Sequence, residues 1–430
     1  MNSDNNNSNT PRLRFPGFTG KWAEKKFEYC FEFLRNNTLS RSQLNYRSGK
    51  AMNIHYGDIL VNYGAILDIE KEQVPYITDD AIAEQACREI LKNGDIIMAD
   101  TAEDEAVGKC TEIINISDTP VVSGLHTIPL RPSLNFATGY LGYYLNTLSY
   151  RANLYPLMQG VKVTSISRSA IQGTHVHFPP NLAEQEKIAG CLSTVDALIA
   201  AQGQEVDALK ECKQGLMQQL FPESGETTPR LRFPGFTGKW VEKRLGEVAN
   251  KINRRNRHLE VSRLLTNSAS AGVVDQSDYF ERDIAVKDNT ANYHIVEFGD
   301  FVYNPRISAA APVGPISINK VGRGIMSPLY TIFRFHTGCI PFFEQYFQTT
   351  IWHSYLKKIA NFGARFDRMN ITSEGFFSMP LMVPSFAEQE KIAACLSEMD
   401  TLIDAELARM ETLKAHKRSL MQQLFPQPSK

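Results

Sequence analysis

NLAEQEKIAGCLSTVDALIAAQGQEVDALKECKQGLMQQLFP, from Asn181 to Pro222, returns at Ser385 to Pro426 as SFAEQEKIAACLSEMDTLIDAELARMETLKAHKRSLMQQLFP. The two copies are identical from Ala183 to Ala189 and again from Leu216 to Pro222. Apolar residues in the first copy fall at Ile188, Leu192, Val195, Ile199, Val206, Leu209, Leu216 and Leu220, a 4,3 spacing interrupted by Gln202 and Lys213. The second copy keeps the spacing with Ile392, Leu396, Met399, Ile403, Met410, Leu413, Leu420 and Leu424, interrupted at the matching Glu406 and Lys417. That is a heptad seam written twice, and it predicts two long helices over 181–222 and 385–426. Asn181 followed by Glu184, and Ser385 by Glu388, predict a capping box at each start; Pro222 and Pro426 stop each segment. Such a helix is about 55 to 60 Å long at ~1.5 Å per residue and needs a partner seam. A polar residue at Gln202 or Glu406 either fixes register from a buried position or stands part-exposed.

A second repeat runs out of step with the first. TPRLRFPGFTGKW occupies Thr10 to Trp22 and recurs unchanged from Thr228 to Trp240. The order is therefore short box, insert, long helix, then the same again. Ala23 to Leu182 spans 160 residues and Val241 to Phe386 spans 146, and the two inserts are barely alike. A duplicated frame around diverged inserts implies a shared task for the frame and a separate task for each insert. Both inserts read as mixed α/β with short strands: FGDFVYNPR (Phe298 to Arg306) resembles YGDILVNYG (Tyr56 to Gly64), and NGDIIMADT (Asn93 to Thr101) is a third Gly-Asp turn before an apolar run. LGYYLNTLSYRANL (Leu141 to Leu154) and PFFEQYFQTTIWHSYLKKI (Pro341 to Ile359) read as amphipathic helices. After the linker ESGETT the second helix packs on the first only by running back, which makes the pair antiparallel and brings the Thr10 box near Pro426. The expected layout is a tail at 1–9, domains at 10–180 and 223–384, long helices at 181–222 and 385–426, and a tail at 427–430. The leading MNSDNNNSNT, polar and without an apolar core, is expected to be a disordered tail, not a signal peptide.

The 430 residues are 43% apolar and 22% charged with a net charge of -1, and contain no long apolar window, which points to a cytoplasmic protein without a membrane segment. Seven cysteines without a CxxC pair suggest reduced thiols, not a disulfide framework or a zinc knuckle. His175 and His177 have a spacing that could serve a metal, but no Cys or carboxylate cluster accompanies them, so no metal is expected. Charge is sorted along the chain. Arg35 to Lys50 carries four bases and no acid, Lys251 to Arg257 four more and no acid, and Ala51 to Cys110 carries 13 acids against 4 bases, an acidic face expected to be solvated. GFTGKW lacks the spacing and the Ser/Thr of a phosphate-binding loop, Asn304-Pro305-Arg306 lacks the second proline and the aromatic residue of the amino-methyltransferase tetrapeptide, and no GxSxG motif occurs. No catalytic function is indicated.

Paired helices opening with AEQEKIA and closing with LMQQLFP, preceded each time by an insert introduced by RLRFPGFTGKW, resemble the specificity subunit of type I restriction-modification enzymes, over nearly the whole chain. The resemblance implies an α/β protein: two mixed α/β target-recognition domains separated by a pair of long antiparallel helices, a pseudo-twofold coiled-coil spacer. Each domain would read one half of a bipartite site in double-stranded DNA. The subunit itself would be non-catalytic and bind no cofactor. Two modification subunits using S-adenosylmethionine to methylate adenine N6 would dock on it, and restriction subunits using ATP and magnesium would join them. For DNA contact the first insert offers Arg35, Asn36, Asn37, Arg41, Ser42, Asn45 and Lys50, with Lys162, Ser165 and Arg168 as a later loop. The second offers Lys251, Asn253, Arg254, Arg255, Asn256 and Arg257, with Arg365, Arg368 and Asn370 as its later loop. A coiled-coil scaffold for protein partners without DNA specificity is the alternative.

Overall fold

The structure is a computed structural model that describes residues 10–103, 106–160, 162–223, 225–279, 287–361 and 367–427. Both predicted long helices form, over Leu182–Leu220 and Phe386–Leu424. All sixteen seam residues are buried or half-buried, as the 4,3 spacing requires. The chain divides into two compact units, residues 1–203 with 408–430 and residues 204–407, so each unit holds one half of each helix.

In unit one the start of the first helix lies with the end of the second. Ile188, Ala189 and Leu192 share a core with Leu424 and Phe425. Unit two reverses the roles, with Met217, Leu220 and Phe221 against Ile392, Ala393 and Leu396. The helix halves are therefore antiparallel in each unit, and the polar seam steps find equivalent partners. Lys417 Nζ pairs with Asp196 in unit one, and Lys213 Nζ reaches Asp400 Oδ1 at 2.6 Å in unit two. Asp196 also accepts from the Tyr143 hydroxyl at 2.8 Å, and Asp400 from Gln345 Nε2 at 2.7 Å. A buried ammonium at a heptad position is costly without a counter-charge, and each lysine that interrupts the seam is thus matched by an aspartate on the facing helix. Gln202 is buried, as a register-fixing residue would be, whereas Glu406 is half-buried.

The short box ties these helix ends together. Arg14 forks onto Glu184 at 2.7 and 2.8 Å and Arg232 onto Glu388 at 2.8 and 2.6 Å. Leu13 N donates to Gln423 O and Leu231 N to Gln219 O, each at 2.9 Å. Trp22 packs edge-on against Phe425, and Trp240 against Phe221. The first short box thus meets the end of the second long helix in unit one, as the out-of-step repeats implied. The predicted capping boxes are corrected here. Asn181 Oδ1 caps Ala183 N and Ser385 Oγ faces Glu388 N, but the glutamates that would complete the boxes are taken by the arginines of the short box. Gln185 and Gln389 explain the next position of AEQEKIA. Gln185 accepts from Ala137 N and donates to Pro179 O; Gln389 accepts from Cys339 N and donates to Pro384 O.

The inserts share a sheet as well. Unit one orders the strands Phe31–Phe33, Thr127–Pro132, Ile96–Ala99, Cys110–Ile114 and Ile66–Asp68; unit two orders Ala249–Ile252, Thr331–Phe335, Phe301–Tyr303 and Ile316–Ile318. The strand of FGDFVYNPR therefore corresponds to that of NGDIIMADT. Arg131 holds Asp95 at 2.7 Å just as Arg334 holds Asp300 at 2.7 Å. YGDILVNYG is not a strand: Tyr56–Val61 is a helix, started by His55 Nδ1 accepting from Gly57 N, with Asp58 in its first turn. Each amphipathic stretch is two helices, Tyr140–Leu145 with Leu148–Ala152 and Ile340–Gln348 with His353–Ile359.

Candidate nucleic-acid interface

The predicted contact residues begin just after Phe31–Phe33 in the first insert and within Ala249–Ile252, at Lys251, in the second, and in both units this early run meets the region of the later loop. Arg168, the first residue of a short helix, donates from Nη2 to Asn36 Oδ1 at 3.0 Å across 132 residues. Lys251 Nζ donates to Ser373 Oγ at 3.1 Å, three residues beyond Asn370. Ser165 stands exposed on the strand Thr164–Ser165, and Lys162 is exposed beside it. Asn370 is exposed and Arg368 half-buried; Arg365 lies outside the described residues.

Several of the predicted cations are already paired, and Arg35 is held through its backbone N–H alone. Arg41 grips the buried Asp58 with both ends of its fork, at 2.6 and 2.8 Å, and donates to the Tyr46 hydroxyl at 2.7 Å. That carboxylate holds the Arg41 guanidinium above its usual pKa. Lys50 Nζ lies 2.7 Å from Glu84, and Arg35 N donates to Glu89 Oε2 at 2.7 Å. Charge sorted along the chain is thus recombined in space, and the segment expected to be a solvated acidic face supplies the counter-ions. In unit two Arg254 sits between Glu260 at 2.9 Å and Glu297 at 3.6 Å, sharing both with Arg323. Arg255 Nη1 donates to Asn292 O, while Asn253 and Arg257 point to solvent. The neighbouring His294 reports the local field: burial lowers its pKa, and Arg255 and Lys251 lower it further.

The amides divide between shaping and presenting. Asn256 is fully buried and closes its own loop, donating to Val261 O at 2.8 Å and accepting from Val261 N at 3.1 Å. Asn37 donates to Asn53 Oδ1 at 2.6 Å and caps Leu39 N; Asn45 accepts from Arg47 N and Ser48 N. Ser42 is exposed and meets Ser40 Oγ at 2.9 Å. Exposed Arg35, Lys162, Ser165, Asn253, Arg257 and Asn370 therefore remain the outward-facing members of the set, while Asn256, Asn37 and Asn45 hold the loop backbone. Sequence reading missed the residues opposite the later loop, Thr101 in unit one and Arg306 in unit two, because that pairing is made across more than 60 residues.

His175 and His177 stand on a strand that pairs with Ala23–Lys26, and His177 Nε2 lies 3.6 Å from Glu24. Among the described residues no three His, Cys, Asp or Glu side chains group as a metal site, and no helix is long and apolar enough to cross a membrane.

Paired helix halves carry unlike inserts on one repeated frame, and comparison with known proteins finds similar chains. Residues 20–211 match the family model of the type I restriction modification DNA specificity domain. Over 426 residues the chain is 23% identical to a putative type I restriction enzyme MjaX specificity subunit of Methanocaldococcus jannaschii, covering 94% of this chain and 92% of that one. Its fold is similar to that of a type I restriction-modification S subunit from M. genitalium, at a TM-score of 0.53 and 14% identity over 98% and 100% of the two chains. It is also similar to a chain from a structure of type I restriction-modification complex assembly, at 0.56 and 15% over 96% and 99%. Over residues 20–211 the chain is thus similar to the type I restriction modification DNA specificity domain, and along nearly its whole length it is similar to a specificity subunit.

Proposed function

We propose that this chain reads a bipartite DNA site without catalysing a reaction on it. Residues 10–180 and 223–384 are the two target-recognition domains, each reading one half-site. The long helices fix the spacing between halves and dock two modification subunits, which use S-adenosylmethionine to methylate adenine N6. Restriction subunits that consume ATP with magnesium complete the complex, in the cytoplasm. The observation that carries this reading is the contrast between frame and loops. Arg14–Glu184 and Arg232–Glu388, Gln185 and Gln389, and Trp22 and Trp240 repeat contact for contact. The outward-facing loop residues do not repeat.

A stiff antiparallel helix pair converts its length into a fixed separation, and because B-DNA repeats about every 34 Å, two heads held that way can address one side of a duplex. Exposed Arg, Lys and Asn side chains at the loops supply forks for guanine, amides for adenine and cations for phosphate. Replacing Arg254, Arg255 and Arg257 by Ala is expected to alter recognition of one half-site only, read by mapping methylated adenines in cellular DNA. Unchanged methylation at both halves would remove that run from the interface. A protein-binding scaffold predicts no salt-dependent DNA binding at all, whereas a DNA reader loses affinity steeply as salt rises.

A further inference from the structure

Both units end their Gly-Asp strand on the same small ledge. In unit one the chain leaves Ile96–Ala99, and Thr101–Ala102 pairs antiparallel with Thr164–Ser165, setting Thr101 opposite Ser165. Ile166 N donates to Asp100 O at 2.8 Å. In unit two the chain leaves Phe301–Tyr303, passes Asn304 and Pro305, and Arg306 forms an antiparallel bridge with Arg368. Met369 N donates to Pro305 O at 2.9 Å and Ile307 N to Asp367 O at 3.0 Å. The two ledges correspond because their strands occupy the same place in the sheet and follow aspartates held by equivalent arginines, Arg131 and Arg334. The backbone is shared and the facing pair is not: two hydroxyls in one unit, two guanidiniums in the other.

The arginine pair is unfavourable for folding alone, since like charges directly opposite across strands repel. Arg306 is exposed and, among the described residues, makes no ion pair. Arg368 Nε is buried without a hydrogen-bond partner and stands 3.8 Å from an Asp367 side chain that is 61% exposed. Asn304 Oδ1 accepts from Arg306 N at 3.1 Å, and Asn304 is itself buried and donates to Asn267 O at 2.9 Å, so the backbone that presents Arg306 is fixed from below. Two arginines set opposite one another across a fixed ledge suit an electron-rich edge that can accept several hydrogen bonds, and in duplex DNA the major-groove edge of guanine, with O6 and N7, is such an edge.

On the reading of the chain as a DNA-specificity subunit, we infer that this ledge is the base-reading position of each domain, and that Arg306 with Arg368 reads guanine through O6 and N7 in the second domain's half-site. Thr101 and Ser165 occupy the same position in the first domain, where hydroxyls read a different base.

The test assembles the full chain with its methyltransferase partners and measures methylation of DNA carrying every base at each position of the site. Arg306→Ala is expected to relax one position of one half-site, lowering discrimination there by about 5- to 150-fold, with the other half-site unchanged. Arg306→Lys keeps the charge but not the fork and should not restore discrimination. Replacing guanine by 7-deazaguanine at that position should slow the wild-type complex and leave Arg306→Ala unaffected. Unchanged preference at both half-sites overturns the inference. So does a uniform loss at all sequences that Lys restores, which is the signature of a phosphate contact. A wild-type complex with no sequence preference at all would instead overturn the functional reading on which the inference rests. An intact first half-site in the variant shows that it has folded.

Discussion

Arg14→Ala is the sharpest test of how the frame is held. Arg14 is 19% exposed and Glu184 only 2%, and the fork closes at 2.7 and 2.8 Å. Removing the arginine leaves a buried carboxylate unpaired, and breaking one side of a buried pair costs about 3 to 5 kcal/mol. Glu184 lies in the first turn of a 39-residue helix, whose dipole offsets about 0.5 to 1 kcal/mol of that, so we expect about 3 kcal/mol. Glu184→Ala should cost less, about 1.5 kcal/mol, because the guanidinium left behind is partly hydrated and keeps its bonds to Gly20 O at 2.5 Å and Thr19 O at 3.2 Å. The double variant should cost well under the sum. Urea unfolding followed by Trp22 fluorescence, in a Trp240→Phe, Trp352→Phe background, reads the transition of unit one, because the Trp22 ring lies 6.3 Å from Phe425. If both single variants cost below about 0.5 kcal/mol, the pair behaves as a surface ion pair, and if Glu184→Ala costs the more, the buried-carboxylate reasoning is wrong.

The same asymmetry should appear, inverted, in the helix seam. Lys213 is 9% exposed and Asp400 40%, so Asp400→Ala strands a buried ammonium with Gln348 as its remaining partner and should cost more than Lys213→Met; denaturant unfolding of both decides the order, and a larger loss for Lys213→Met would contradict it. Glu112 gives a pH prediction. Burial raises its pKa to about 7, against opposing hydrogen bonds from Gly139 N and Gly142 N. A carboxyl whose folded pKa lies above its unfolded value binds its proton more tightly when folded, so its stabilising term is full below the unfolded pKa and lost as pH rises towards 7. Wild type should therefore lose stability relative to Glu112→Gln between pH 4.5 and 7; a parallel pair of stability curves would show that the group does not titrate this way.

The frame was legible because repetition supplied its own control: a residue matched at both copies, such as Glu184 and Glu388, had to do something at both. The heptad spacing then placed all sixteen seam residues inward. What repetition could not give was the partner. Glu184 suits a capping box locally, and only the fold brings Arg14 to it from 170 residues away. The Tyr56–Val61 helix was misread for a related reason. Three apolar residues after Gly-Asp fit strand or helix equally, and the His55 cap decides between them. The candidate site was legible as a region but not as a set of free side chains. Acid-free runs at Arg35–Lys50 and Lys251–Arg257 gave no sign that Asp58, Glu84, Glu260 and Glu297 would reach in to pair with them. Asn256, polar in a basic run, turned inward because its amide satisfies both backbone groups of Val261.

The most direct test of the account adds one heptad to each long helix at matching seam steps, between Gln202 and Val206 and between Glu406 and Met410, and maps methylated adenines across the genome. Seven residues add about 10 Å at ~1.5 Å each, or about three base pairs at ~3.4 Å. The account predicts unchanged half-sites separated by a spacer about three base pairs longer. Methylation that persists at the original spacing would contradict it.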